Sequence, residues 1–533
     1  MKKILVPFAD THQFSSLIDE YLSGNASLKS FYRLAPEAGS FKQAIESRLG
    51  HPVNRKVLTE SLNEQYGSLL KQTSSASEKT NAAIGLLENE NCFTVTTGHQ
   101  LNIFTGPLFF IYKIATTIRL SRDLKALHPD CDFVPVYWMA TEDHDFNEIN
   151  NTRIFGKPVV WNREAGGAVG RMNLNGMKEV LDEVKEIVGS DAGDCLSIFE
   201  NAYLTAPNLA VATRQIVHQL FGAHGLVVID GDDAALKKEF VNEMRDDLLL
   251  HKSFDAVTAT SQKLSEIHKI QVQPRQINLF YIASGLRERI VKNEDGTYAV
   301  LNSDIAFSRE KILQELESNP ENFSPNVVLR PMYQEKILPN LAYISGPGEL
   351  NYWLQFMGAF DANKISFPVL ILRNCFQLVD SGAASKLSKL GIDIPDFFQS
   401  TDFLILKVLE NSTDVHVGTD AITSLLQKIF NELGEEWSKL DASLLSSIDA
   451  EKQKMLKSIA GLEEKARRAL KRKNETVVNQ VKNLKDKLLP EGGLQERYEN
   501  FIPYYCRLKD DFIREIISHS NPFEKNFIVL MEE

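Results

Sequence analysis

From residue 92 onward the sequence alternates short apolar, β-rich runs with helical stretches. This alternation is typical of a parallel sheet whose strands are joined by crossover helices. Five candidate strands are recognisable, at Cys92–Thr96, Phe133–Ala140, Gly225–Ile229, Leu341–Ser345 and Pro368–Leu372. If all five run parallel, the polar residues that follow them lie on one edge of the sheet, where open α/β folds bind their ligands.

The chain of 533 residues exceeds one ordinary core, and its 43% hydrophobic content is typical of a globular protein. We predict four structural units. These are a mostly helical segment over 1–90, a core over 91–415 with insertions at about 153–205 and 253–327, a coiled-coil arm over 416–490, and a C-terminal segment over 491–533 that packs back on the core.

The arm is predicted from apolar or small residues spaced by threes, fours and sevens. They include Ile448, Met455, Ile459 and Leu462, and the pattern continues to Leu488. Such sustained spacing indicates a long helical hairpin or a coiled coil. Pro490 and two glycines after it are expected to end the last helix.

Charge and cysteine content narrow the range of partners. The net charge is −12, from 59 Lys+Arg against 71 Asp+Glu, which argues against a nucleic-acid partner. The five cysteines include no Cys-x-x-Cys pair, so neither a disulfide framework nor a cysteine-rich zinc site is expected. No apolar stretch reaches the ~20 residues of a membrane helix, and a cytoplasmic location is the expectation.

An acidic-histidine cluster, Glu142–Phe146, directly follows the second candidate strand, and His99 follows the first. A right-handed crossover makes these strands neighbours, so both imidazoles are expected at one cleft. An imidazole flanked by carboxylates is suited to accept a proton from an ammonium group. The alternative is that Asp143 and Asp145 cap the next helix.

Two glycine-containing loops, Thr105-Gly106-Pro107 and Gly346-Pro347-Gly348, each precede a helical stretch. The start of a helix can bind a carboxylate or phosphate through its backbone N–H groups. The alternative is a tight turn with proline in the first helical turn, which we expect near Pro107. Neither a Walker loop nor a dinucleotide-binding glycine motif occurs in the sequence.

Arginines at strand ends complete the candidate site. Arg330 and Arg373 are predicted to pair with carboxylates, as Arg275 and Arg287 of the second insertion also can, and surface ion pairs are the alternative. Histidine with Asp or Glu is compatible with zinc, but no fixed ligand spacing supports a site, and no metal is predicted. The Gly-x-Ser-x-Gly motif of serine hydrolases is absent from the sequence.

Together these motifs resemble the bacillithiol biosynthesis cysteine-adding enzymes, the BshC family. The residues that carry the resemblance are Thr97–Gln100 with Phe104–Pro107, Glu142–Phe146, Pro274–Phe280, Leu329–Pro331 with Gln334, and Tyr343–Glu349 with Tyr352 and Trp353. The resemblance implies a Rossmann-like core interrupted by connecting-peptide insertions and a coiled-coil arm that forms a homodimer. It also implies ligation of L-cysteine to the amine of glucosaminyl malate.

On this interpretation the predicted site divides into two groups of residues. The catalytic candidates are His99, Asp143, His144 and Asp145, with His144 as the proton acceptor. The substrate-binding candidates are Gln100, Thr105, Gly106, Arg330, Gln334, Gly346, Gly348, Glu349, Tyr352, Arg373 and Asn374. Amide formation from a free carboxylate needs activation, which makes ATP a candidate cosubstrate. Two alternatives stay open, a non-catalytic dimeric ligand-binding scaffold and a metal-dependent amide hydrolase.

Overall fold

The computed structural model of the chain describes residues 1–189, 193, 195–413 and 416–532. Its strands are β1 Lys2–Pro7, β2 Cys92–His99, β3 Asp132–Met139, β4 Asn151–Ile154, β5 Lys157–Val160, β6 Val227–Asp230, β7 Leu279–Ala283, β8 Leu286–Lys292, β9 Tyr298–Val300, β10 Ala306–Phe307, β11 Phe323–Pro325, β12 Asn340–Ser345, β13 Val369–Leu372, β14 Phe376–Val379 and β15 Asn526–Met531.

The α-helices are α1 Ser16–Ser23, α2 Phe41–Leu49, α3 Arg55–Tyr66, α4 Ser75–Leu86, α5 Phe109–Leu127, α6 Phe146–Ile149, α7 Met177–Val188, α8 Ser197–Thr205, α9 Leu209–Phe221, α10 Ala234–Lys238, α11 Val241–Leu250, α12 Lys252–Ser265, α13 Arg309–Ser318, α14 Leu329–Ile337, α15 Pro347–Leu354, α16 Met357–Ala362, α17 Ser381–Leu390, α18 Ile394–Phe397, α19 Thr401–Ser412, α20 Asp420–Trp437, α21 Leu444–Lys473, α22 Glu475–Leu488, α23 Gln495–Tyr498, α24 Ile502–Leu508 and α25 Asp510–His519.

The predicted Rossmann-like sheet is confirmed. Its five strands lie in the order β13-β12-β2-β3-β6, and every neighbouring pair is parallel. Each matches one of the five apolar runs recognised in the sequence. Seven of the eight residues of β2 are buried, as expected for a parallel strand covered on both faces. All five strands therefore end at one edge of the sheet.

Helix α5 begins at Phe109, two residues later than predicted from Pro107. The residues before it adopt positive φ angles, +51° at Phe104, +66° at Thr105 and +69° at Gly106. Pro107 then forms a β-bridge with Asn500 near the other end of the chain. This distant contact keeps residue 107 extended and delays the helix. Positive φ at two non-glycine residues is costly and persists only where the surroundings enforce it.

The predicted insertions have distinct structures. The first contains the hairpin β4-β5 and two helices, α7 and α8. The second forms an antiparallel sheet in the order β10-β9-β8-β7-β11. Strands β7 and β8 lie over the edge of the parallel sheet where the polar loops gather.

The two ends of the chain meet in a small third sheet. Strand β1 pairs antiparallel with β15, which pairs in parallel with β14. The N-terminal segment, predicted as mostly helical, thus also supplies a strand. Its short apolar run is too brief to be recognised as a strand without its partner.

The predicted coiled-coil region is helical, with α20 packed along the long helix α21 and α22 following it. Helix α22 ends at Leu488, just before the expected break at Pro490. Across the described residues, the helices lack the combination of length and apolar character that crossing a bilayer requires.

A disulfide joins Cys195 to Cys506, which corrects the expectation of a chain without disulfides. The two cysteines are 311 residues apart, so no spacing pattern could indicate the pairing. The bond links Cys195, two residues before α8, to α24. Cys92, Cys131 and Cys375 are free thiols, and burial raises the pKa of Cys375.

Glu335, near the end of α14, is a fully buried carboxyl group. Its Oε1 accepts hydrogen bonds from Gln334 Nε2 at 2.8 Å and Asn340 Nδ2 at 2.7 Å. Burial raises the pKa of Glu335 to about 7, although the nearby Arg48 guanidinium opposes the rise. The folded protein therefore retains a proton on Glu335 over a pH range in which the unfolded chain has released it.

A carboxyl whose pKa is raised by folding contributes stability at low pH that is lost as the pH rises through its folded pKa. Glu335→Gln keeps the Oε1 acceptor but cannot ionise. Between about pH 4.5 and pH 8, the free energy of unfolding should fall by roughly 3 kcal/mol more in the wild type than in Glu335→Gln. Urea denaturation across this range measures the difference, and Glu46→Gln, an exposed change on α2, controls for net charge. Parallel pH profiles for wild type and Glu335→Gln would contradict the assignment.

Candidate functional site

A cavity of about 810 Å³ opens at the carboxyl edge of the central sheet. Its walls include the residues at the ends of β2, β3, β12 and β13, and its cover comes from β7 and β8 of the second insertion. This is where the strand polarity of an open parallel sheet brings successive loops together. The loops that lie far apart in the sequence therefore line one shared cavity.

Most of the predicted site residues line this cavity. They are His99, Gln100, Asp143, His144, Arg330, Gly346, Gly348, Glu349, Tyr352 and Arg373. Their common location is a finding of the structure, and their individual roles remain predictions.

Four predicted substrate-binding residues lie behind the cavity wall. Thr105 and Gly106 belong to the buried loop before α5, and Asn500 Nδ2 donates to the Gly106 carbonyl at 2.8 Å. Asn374 exchanges hydrogen bonds with the Asn521 backbone at 2.8 and 2.9 Å. The Gly106 carbonyl and the Asn374 side chain are thus already satisfied by distant parts of the chain, which sequence spacing cannot reveal.

Gln334, the fourth, is fully buried and supports Arg330 from behind. Its Oε1 accepts a hydrogen bond from Arg330 Nη1 at 3.0 Å, and its Nε2 donates to Glu335. Gln334 therefore orients an arginine of the cavity and does not line it. The helical spacing of four residues between 330 and 334 explains the contact.

Asp145 caps a helix, as the alternative interpretation of the acidic cluster proposed. Its Oδ1 accepts a hydrogen bond from the Glu148 N–H at 3.3 Å, at the start of α6. Aspartate is a preferred residue at this position. The structure therefore places Asp145 as a cap, outside the residues that line the cavity, and its catalytic role stays a prediction.

Asp143 is held as a carboxylate by its neighbours. Burial alone would raise its pKa, but hydrogen bonds from Gln100 and from the His144 backbone N–H, with the charge of Arg287, together hold the pKa of Asp143 below its ordinary value. Gln100 Nε2 lies 2.8 Å from Asp143 Oδ2. Arg287 Nη1 lies 3.7 Å from Oδ1. A carboxylate so stabilised binds cations and orients donors, but it is a weak base.

The imidazole of His144 is half-exposed at the cavity wall, against Phe280. Its Nδ1 lies 2.7 Å from Arg287 Nη1. A guanidinium can only donate, so Nδ1 is the acceptor in this bond and the neutral ring carries its hydrogen on Nε2. In this arrangement His144 offers the cavity a hydrogen-bond donor. That differs from the proton acceptor predicted from the sequence.

His99 is a neutral imidazole at the end of β2. Its ring packs against Phe109 and Phe110, with ring centroids 5.1 and 5.5 Å apart. Burial, followed by the charges of Lys113 and Arg373, holds the pKa of His99 well below its ordinary value. Its Nε2 is buried without a hydrogen-bond partner within the described ranges. His99 is thus a polar group available to a ligand.

Lys113 and Glu349 form an ion pair at the inner end of the cavity, with Nζ and Oε2 2.5 Å apart. The carboxylate also accepts hydrogen bonds from the Gly346 N–H at 2.7 Å and from the Tyr343 hydroxyl at 2.9 Å. Although burial would raise it, these partners, Lys113 first, hold the pKa of Glu349 below its ordinary value. Glu349 therefore fixes the first turn of α15 and is not free to bind a cationic ligand group.

The two predicted carboxylate-binding arginines differ in availability. Arg330 makes one hydrogen bond through Nη1, to Gln334, and its guanidinium lies 5.7 Å from the Tyr343 ring centre. Arg373 is buried, and Glu496 occupies both of its Nη groups, at 2.9 and 2.7 Å. The bidentate fork expected to bind substrate at Arg373 is therefore already filled by the protein.

Several cavity residues were not recognised as site residues from the sequence. Lys113 carried a usable signal, because it is a charge within the apolar run Phe109–Ala115. Arg289 and Arg497 also line the cavity, but nothing in their local sequence indicates it. Glu142 lines it as well, and its Oε1 lies 2.7 Å from Lys237 Nζ of α10, a contact that depends on the fold. Within the described ranges, no three His, Cys, Asp or Glu residues are grouped as metal ligands.

Comparison with known proteins agrees with this architecture. The family model described as the Bacillithiol biosynthesis BshC N-terminal Rossmann-like domain matches residues 1–374, and the model of the BshC C-terminal coiled-coil domain matches residues 376–532. Relatives named as candidate cysteine ligases BshC occur in Flavobacterium johnsoniae and Christiangramia forsetii, each 40% identical. These matches cover 98% of this chain and 99% and 98% of the two relatives. The chain therefore belongs to the BshC family.

Proposed function

We propose that this protein is a ligase that joins the carboxyl group of L-cysteine to the amine of glucosaminyl malate, the last step of bacillithiol biosynthesis. The observation that carries the proposal is one cavity lined by two clusters of polar side chains. One cluster contains Asp143 and His144 with Arg287, and the other contains Lys113 and Glu349 with Arg330 near Tyr343. The cysteine ligase names of the full-length relatives support the same reaction class.

Each cluster suits one part of the proposed reaction. The Asp143 carboxylate can accept hydrogen bonds from the sugar ammonium, which brings the amine to the cavity in a defined orientation. Arg330 retains donors for a malate carboxylate, and Arg275 and Arg289 add positive charge at the same cavity. Holding amine and carboxyl together lowers the entropic part of the barrier.

An amine cannot displace oxide from a free carboxylate. The carboxyl group of cysteine must therefore first carry a better leaving group. We propose ATP as the cosubstrate that supplies this activation. The clustered arginines and Lys113 would offset the negative charge of a phosphorylated or adenylated intermediate. His144, with its hydrogen on Nε2, would donate to the oxygen that gains negative charge as the amine attacks.

Reconstitution tests the proposed function directly. Purified protein supplied with ATP, L-cysteine and glucosaminyl malate should form the amide-linked thiol, with one water's mass lost relative to the two joined substrates. Mass spectrometry detects the product, and omission of any one component should abolish it. Absence of product from the complete mixture would refute the ligase proposal, whereas product without ATP would refute only the activation step.

Substitution of His144 separates a donor role from a proton-acceptor role. We expect His144→Ala to lower kcat by about 100-fold, because a donor to a developing negative charge is lost. His144→Gln places an amide N–H near the position of Nε2 and should stay within about tenfold of wild type. Asn147→Ala, an exposed neighbour on α6, is the control. If Gln is as slow as Ala, the donor role is wrong and the proton-acceptor role predicted from the sequence is favoured.

We also propose that the arm forms a homodimer. Helix α20 exposes Ile422, Leu425 and Ile429, each more than half accessible to solvent. Their spacing of three and four places them on one face of the helix. On α21, Leu462 is 62% exposed and lies seven residues after Met455, which is also exposed. An apolar stripe of this kind is suited to pack against a second copy.

Charge placed in the stripe should dissociate the dimer. Leu425→Glu with Leu462→Glu is expected to convert a dimer into a folded monomer, because paired copies would bury like charges. Light scattering after gel filtration measures the mass, and circular dichroism checks folding. Leu127→Glu, an equally exposed leucine at the end of α5, is the matched control. A dimer that persists in the double variant would exclude this face as the interface.

A further inference from the structure

The segment that follows the arm returns to the cavity. Within residues 495–500, Glu496 pairs with Arg373, Arg497 lines the cavity, and Asn500 binds the loop before α5. All three contacts lie in or next to the wall of this cavity. The segment is therefore placed to determine the geometry of the site.

The pair of Arg373 and Glu496 is the most constrained of these contacts. Both side chains are buried, with 1% and 0% of their surfaces exposed. Glu496 Oε2 accepts from Arg373 Nη1 at 2.9 Å, and Oε1 accepts from Nη2 at 2.7 Å. The Phe376 N–H also donates to Oε2, at 3.2 Å. A bidentate pair with a third donor permits little rotation of the guanidinium.

One of the three guanidinium nitrogens of Arg373 makes no hydrogen bond within the described residues. This nitrogen is Nε, and it is buried. It lies 3.8 Å from the point where a Cβ on Gly346 would be, at the start of α15. Lys113 Cε lies at the same distance from that point. The nearest atom to that point is Glu349 Oε2, at 3.2 Å, so a side chain at residue 346 would crowd this carboxylate. A buried donor without a partner is costly unless an acceptor arrives.

The surroundings of this Nε favour an anionic acceptor. The N-terminal end of α15 carries partial positive charge, and Lys113 contributes a full charge. Glu349 balances the charge of Lys113, and Arg330 on the same cavity supplies the remaining positive charge. A carboxylate is the group of glucosaminyl malate that matches such a place, because it offers acceptor oxygens and negative charge together.

We propose that Glu496 is a positioning residue for the proposed ligase reaction, on which this inference rests. By occupying both Nη groups of Arg373, Glu496 turns the remaining Nε–H toward a carboxylate of the malate-containing substrate. Glu496 itself does not touch the substrate. The C-terminal coiled-coil part of the chain thereby sets the affinity of a site built mainly by the Rossmann-like part.

A purely structural pair would behave differently from a positioning pair. Loss of a structural pair lowers thermal stability and leaves the affinity for substrate unchanged. Loss of a positioning pair raises the KM for the substrate whose carboxylate meets Nε, and kcat changes little when the interaction is equally strong in the ground and transition states. Separate KM values for cysteine and glucosaminyl malate distinguish these cases.

The test compares Glu496→Gln and Glu496→Asp with wild type in the reconstituted full-length protein. Glu496→Gln replaces one acceptor with a donor facing Arg373, so the guanidinium should turn, and KM for glucosaminyl malate should rise about tenfold or more. KM for cysteine and kcat should stay within about threefold. Glu496→Asp keeps the charge with a shorter side chain and should give an intermediate KM.

Gln495→Leu is the matched control on the same segment. Gln495 is buried, and its side chain bonds to the Leu378 N–H at 2.9 Å and to the Tyr504 hydroxyl at 2.9 Å, outside the cavity lining. This variant should lower the melting temperature with KM unchanged. If Glu496→Gln does not fold, Glu496→Asp carries the test. A KM for glucosaminyl malate within twofold of wild type in the folded Glu496 variant overturns the inference.

Direct binding separates this inference from the proposed function. Calorimetry with L-malate as the probe does not require turnover. If wild type makes no thiol product, the ligase proposal fails. The positioning role still stands if wild type binds L-malate and Glu496→Gln binds it about tenfold more weakly. Equal binding by the two proteins, or no binding by either, overturns it.

Discussion

The parallel pairing of β2 with β3 is the constraint on which the site depends. The two strands are in register over their full length, from Cys92 opposite Asp132 to His99 opposite Met139. This register places the residues after both strands at the same height on one edge of the sheet. Strand β12 pairs with the other side of β2 and brings the Gly346 loop to the same edge. A slip of one residue would turn His99 to the opposite face.

The cavity gathers many charges, and the protein stabilises them by pairing. Lys113 is matched by Glu349, and Arg373 by Glu496. A buried charge is costly without a partner, so each pair offsets the desolvation of both members. Several charged groups at the cavity are therefore already paired within the protein and are not available to bind a ligand. What remains for ligands is a smaller set of groups, including Arg330, the Arg373 Nε and the imidazole of His99.

Predictions from the sequence succeeded where local pattern determines structure. The five strands were recognised because each is an apolar β-rich run bounded by polar residues, and the arm because its apolar spacing is helical. The predictions were wrong where residues far away in the sequence determine the local structure or occupy a side chain. Helix α5 starts late because Asn500 bridges Pro107, and Arg373 lacks a free fork because Glu496 fills it. Neither partner is near its target in the chain.

The sequence by itself determined the five strands of the parallel sheet, the helical arm, the family and the cluster of polar residues that follows the strands, because these depend on periodicity and on motifs of a few residues. Only the tertiary structure decided which polar groups face the cavity and which are used internally. Hydrogen bonds and ion pairs act over a few ångströms, and they join residues hundreds of positions apart, as Asn500 and Gly106 show. Availability of a side chain to a ligand is therefore a property of the assembled fold.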